Sequence, residues 1–72
     1  MKTIEVFKTN ITQASIANDV VESLLEILPQ CKINFDLHDC DNILRIESVE
    51  MLNTEDVKVH LEKIGFRAEL LD

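Results

Sequence analysis

Lys32-Ile33-Asn34-Phe35-Asp36-Leu37-His38 alternates polar and apolar residues, and Ile43-Leu44-Arg45-Ile46-Glu47-Ser48-Val49 follows it across the short cluster Asp39-Cys40-Asp41-Asn42. A period of two marks a strand with one buried face. Asn and Asp between two such runs mark a turn, because their side chains bond the local backbone and tolerate positive φ. The stretch is therefore expected to form a β-hairpin. Ile33, Phe35 and Leu37 should point to a core, with Leu44 and Ile46 beside them.

Working outward towards the N-terminus, Ile16, Val20, Leu24, Ile27 and Leu28 recur at helical spacing, and Ala17 and Val21 widen the stripe. Asp19, Glu22 and Glu26 fall on the opposite, wet face. Thr12 is the expected N-cap, and Pro29 ends the helix because it cannot continue the hydrogen-bond ladder. Ahead of this helix, Thr3-Ile4-Glu5-Val6-Phe7-Lys8-Thr9 reads as a strand, with Ile4 and Val6 expected on the core face and Phe7 pointing the other way.

Beyond the hairpin, Asn53 or Thr54 should cap a second helix, with Glu55 and Asp56 placed favourably against its dipole. Val57, Leu61 and Ile64 form its apolar stripe, and Gly65 stands where a left-handed residue ends a helix. Phe66-Arg67-Ala68-Glu69-Leu70 closes the chain as a short strand. The order is β-α-β-β-α-β, the split pattern of the α+β ferredoxin-like sandwich: a four-stranded antiparallel sheet with two helices on one face. Residues 1–72 are read as a single domain, a size near the lower limit for a self-sufficient core.

Composition excludes several classes. With 46% hydrophobic and 29% charged residues the chain is globular in type and not disordered. A net charge of −7 disfavours nucleic acid and anionic lipid, both of which need a basic footprint. The apolar runs are too short to span a bilayer, so no membrane insertion is expected. No signal peptide is visible, and two cysteines without a disulfide framework fit a cytoplasmic protein. No nucleophile–base pair, phosphate-cradling glycine run or paired-carboxylate constellation stands out, so an enzyme is not expected.

Asn10-Ile11-Thr12 after the first strand, Ile33-Asn34-Phe35-Asp36-Leu37, and Glu62-Lys63-Ile64-Gly65-Phe66 near the end together resemble the heavy-metal-associated domain of copper chaperones and metal-pumping ATPases. That family reads G-M-T-C-x-x-C at the first junction, V-x-V-x-L in the middle and E-x-x-G-[YF] at the end. The resemblance covers nearly the whole chain and implies the same fold. It also implies a soft-metal site on two thiolates, and here this sequence departs: Gln13 and Ile16 stand where the cysteines would be. An amide and an alkyl group hold neither Cu(I) nor tetrahedral Zn(II). Asn10 replaces the glycine and is expected to tolerate positive φ, while Ile11 should plug the core position of the methionine.

Two readings of function remain. In one, the chain is a non-catalytic interaction module without a cofactor, meeting a protein partner or a second copy through the open sheet face or an edge strand. Phe7, Ile43 and Leu71 are its expected contact residues. In the other, metal binding survives on relocated ligands. His38 and Cys40, with Asp36, would share the outer face if the strand ran that far, and could take Cu or Zn with a further ligand from Asp41 or a second molecule. The plain alternative there is a polar hairpin tip carrying one incidental thiol. Cys31 is too far from Cys40 to join it, since the intervening extended chain covers roughly 30 Å at about 3.3 Å per residue. Cys31 is read as a small apolar filler or spectator thiol, and His60 as a part-buried or surface histidine.

Overall fold

A computed structural model describes residues 2–38 and 40–71. Its elements are β1 (Thr3–Thr9), α1 (Ala14–Ile27), β2 (Lys32–Asp36), β3 (Ile43–Ser48), α2 (Thr54–Lys63) and β4 (Ala68–Leu71). The strands form one antiparallel sheet in the order β2-β3-β1-β4, which is the ferredoxin-like α+β arrangement. The βαββαβ order read from the sequence is the observed one.

Register and burial separate the two faces of the sheet. On the covered face Phe7 stands opposite Leu44 of β3 and Leu70 of β4, and Leu44 and Ile46 stand opposite Phe35 and Ile33 of β2. Phe7, Leu44 and Ile46 are fully buried with Ala17, Val20 and Leu24 of α1 and Val57 and Leu61 of α2. Ile33, Phe35 and Leu37 pack against this cluster from the side, as the alternation of β2 predicts. Burying aliphatic side chains from both helices and the sheet is the main stabilising contribution, of about 1.5–3 kcal/mol for each fully buried one.

One strand faces the other way from expectation. Phe7, and not the pair Ile4 and Val6, occupies the covered face; Ile4 is 50% exposed. Both faces of β1 carry apolar residues, so its alternation does not fix its direction. The pairing decides it: Phe7 stands in register between Leu44 of β3 and Leu70 of β4 and is fully buried there. A strand turned over exchanges every side chain between faces, so Thr9 also turns inward and is buried.

The helix ends show how the local sequence acts. The first helical residue is Ala14, and the N-cap is Gln13 in extended geometry with no side-chain bond, so Thr12 does not cap. At the other end the Leu28 N–H donates to Leu24 O at 2.8 Å before Pro29 breaks the ladder. The second helix is capped by Asn53, whose Oδ1 accepts the Glu55 N–H at 3.0 Å. It ends in a Schellman motif: Gly65 N–H donates to Glu62 O at 3.1 Å and Phe66 N–H to Leu61 O at 2.9 Å. Gly65 has φ +93°, which L side chains rarely adopt. Ile64 remains 41% exposed, so the apolar stripe of α2 is Val57 and Leu61. Between the helices, Ser23 Oγ and His60 Nε2 share a 2.6 Å hydrogen bond, which is the role of that part-buried histidine.

Candidate functional site

Three regions follow from this architecture: the polar end of the sheet, the open face, and the β2 edge. The polar end gathers the β1–α1 junction, the β2–β3 hairpin and the start of β4. Thr9 is its hub. Its N–H donates to Asp41 O at 3.2 Å, its hydroxyl donates to Asn42 O at 2.6 Å, and the same Oγ1 accepts the Ile11 N–H at 3.2 Å. Asn10 Oδ1 accepts the Arg67 N–H at 2.9 Å, tying the junction to the strand approaching from α2. Asn10 thus acts through its side chain and not through positive φ; Asn42 is the non-glycine residue at φ +50°. Ile11 fills the core as expected.

His38, Cys40 and Asp36 all sit at this end and all are exposed. Strand β2 stops at Asp36, so the alternation that would carry His38 and Cys40 across the outer face stops with it. Asp36 Oδ1 instead accepts the His38 N–H at 3.1 Å, closing the base of the turn. Asp41 Oδ1 lies 3.8 Å from Lys8 Nζ. Among the described residues no three His, Cys, Asp or Glu side chains come together with the spacing of a metal site. Asp39 lies outside the described residues. Cys40 and the buried Cys31 are free thiols beyond the two ends of β2, and Cys31 packs in the core, as the first of its two sequence readings has it.

The open face consists of register rows. Lys32, Glu47 and Ile4 form one row; Asn34, Arg45, Val6 and Leu71 the next; Asp36, Ile43, Lys8 and Glu69 the third. Its apolar content is a small patch of Ile4, half-buried Val6 and Leu71, the last 38% exposed, with charged residues on both sides. Two of the three expected contact residues change. Phe7 is in the core, for the reason given above. Ile43 lies in an open-face row but is buried, because it opens β3 at the hairpin base, flanked in register by Lys8 and Asp36. Leu71 is on the open face as read, and Ile4 and Val6 join it. An edge between Lys2 and Glu47, 3.5 Å apart, adds a weak surface ion pair.

Strand β2 is one of the two edges of the sheet, and it borders a groove of about 490 Å³ against α1. Ala14, Ala17 and Val21 form the helix wall, and Ile33, Phe35 and Leu37 the strand wall. Sequence reading named the edge strand but not the groove. The signal was present in the small residues Ala14 and Ala17, which leave room where α1 passes β2.

No helix among the described residues is long and apolar enough to cross a membrane. Compared with protein-family models, with curated proteins and with solved structures, the chain has no match.

Proposed function

We propose that this chain is a small non-catalytic interaction module of the cytoplasm, a heavy-metal-associated-like domain that has lost its cysteine pair and binds through its sheet. The observation that carries the reading is the uncovered half of the sheet. One face bears the apolar patch of Ile4, Val6 and Leu71 within charged rows, and the edge strand β2 borders an apolar groove. A contiguous apolar patch with a polar rim suits protein contact, and an edge strand offers backbone groups to an added strand. The acidic balance of the chain supports a protein partner over nucleic acid.

The competing metal reading makes a different demand. Cu(I) or Zn(II) held at Cys40 and His38 would need further ligands, and among the described residues no group of three His, Cys, Asp or Glu side chains is arranged to hold a metal. Competition between the fully reduced protein and a chelator for Cu(I) and Zn(II) separates the two. The interaction reading expects no stoichiometric binding that depends on Cys40. Tight one-to-one binding abolished in Cys40→Ser would overturn it in favour of relocated metal chemistry.

A further inference from the structure

The β2 edge carries more information than an exposed backbone. Natural edges are often blocked by a proline, a bulge or an inward charge. Residues 32–36 contain no proline, pair one-to-one with β3 from Lys32 to Asp36, and point their charges outward. Ile33, Phe35 and Leu37 face the helices yet are only half-buried, because the groove beside α1 leaves their outer flanks uncovered.

We propose that β2 docks against β2 of a second copy of this chain, antiparallel, about a two-fold axis at Asn34. The inference rests on the interaction-module reading and names its partner. The sequence Lys32-Ile33-Asn34-Phe35-Asp36 is self-complementary in this register. Lys32 falls opposite Asp36 of the second copy, and Asp36 opposite its Lys32. Asn34 meets Asn34. On the groove side Ile33 meets Phe35, twice by symmetry. Opposite charges and aromatic–aliphatic pairs placed directly across antiparallel strands are the stabilising cross-strand combinations.

Neighbouring registers lose this match. A slip of one residue sets groove-side residues against the open face. A shift by two, to an axis at Ile33 or Phe35, moves Lys32 opposite Asn34 or His38 and leaves the charges unanswered. The other edge, β4, offers no equivalent. Pairing about Glu69 sets two carboxylates against each other, and pairing about Leu70 sets Glu69 against Leu71. Arg67, which would answer Glu69 in a third register, precedes the strand, and its N–H is taken by Asn10. In the proposed dimer the two sheets become one, with both α1 helices on the same side and the two grooves merged between them.

Strands this short give an interface at the small end of specific contacts, below about 1,200 Å² in total. Reversible association in the micromolar-to-millimolar range is therefore expected. Sedimentation velocity of the reduced, chelator-treated chain over a concentration series tests it, with circular dichroism and thermal melts to confirm that each variant is folded. Lys32→Asp and Asp36→Lys each set like charges opposite one another at two places, and each should weaken self-association roughly tenfold. An equimolar mixture of the two variants restores both pairs and should dimerise at least as well as the native chain. As a register probe that does not depend on charge, Asn34→Cys in a Cys40→Ser background should form a cross-link on mild oxidation. Directly opposed Cα atoms lie about 4.5–5.5 Å apart, within disulfide reach. Lys32→Cys in the same background should not, since it would lie far from its own copy.

A native chain that stays monomeric at every concentration overturns the proposal. So does association indifferent to the charge variants, or a mixture that gains nothing. Those results leave the interaction reading standing on the open face or on another partner. That reading falls separately, if Cys40-dependent metal binding appears in the chelator competition.

Discussion

The two faces of the sheet are built from the same four strands and do opposite things. The covered face sets Phe7, Leu44 and Ile46 against both helices with no access to water. The open face carries Lys32, Asn34, Asp36, Arg45, Lys8 and Glu69, with Ile4, Val6 and Leu71 as its apolar patch. The difference teaches that burial in β1 follows side-chain parity: Phe7 and Thr9 are buried on one side of the strand, while Ile4 and Lys8 are exposed on the other, the side that the proposed function assigns to a partner.

Substitutions on each face should break that division unequally. Phe7→Ala empties the centre of the core, and a loss of about 3–5 kcal/mol is expected. For a domain this small that approaches the whole of its stability, and urea denaturation followed by circular dichroism should show a midpoint near zero or no folded baseline. A loss under 1 kcal/mol would mean that β1 is turned the other way. Next in size is Thr9→Val, which keeps the shape but removes the hydroxyl bonding Asn42 O and Ile11 N–H. Leaving these buried groups unanswered should cost about 1–3 kcal/mol, read as a fall in the same midpoint with an unchanged slope.

On the open face, Ile4→Ala should change stability by no more than about 0.5 kcal/mol, the usual range for surface sites. A fall comparable to that of Phe7→Ala would contradict the assignment of faces. Smallest of all is Glu47→Gln, which removes the 3.5 Å pair with Lys2 and should leave the thermal midpoint where it was, in low salt or high.

How far the sequence reveals the molecule differs by element, for physical reasons. Strand β2 was legible in its start and its facing, because only one of its faces is apolar, but it ends at Asp36 and not at His38. The helices were legible from their stripes, and α2 also from Asn53 and Gly65, whose roles at the caps are local chemistry. Strand β1 was legible in its limits but not in its direction, since Ile4, Val6 and Phe7 put apolar surface on both sides and only the pairing with Leu44 decides. Thr9 and Asn10 were not legible as hubs because their partners, Asn42 and Arg67, are distant in sequence. The candidate metal ligands His38 and Cys40 depended on β2 continuing past Asp36, and the Asp36 carboxylate ends the strand by bonding the turn. The groove beside β2 arises only from the way α1 crosses the edge.

The central claim is that this chain binds through its sheet and without metal. The most direct measurement is a heteronuclear NMR dilution series of the reduced, chelator-treated protein, from low micromolar to millimolar. The account predicts concentration-dependent shifts confined to the sheet, strongest in residues 32–36 at the β2 edge. Shifts that are absent at every concentration, yet appear at His38 and Cys40 when Zn(II) is added, would contradict it.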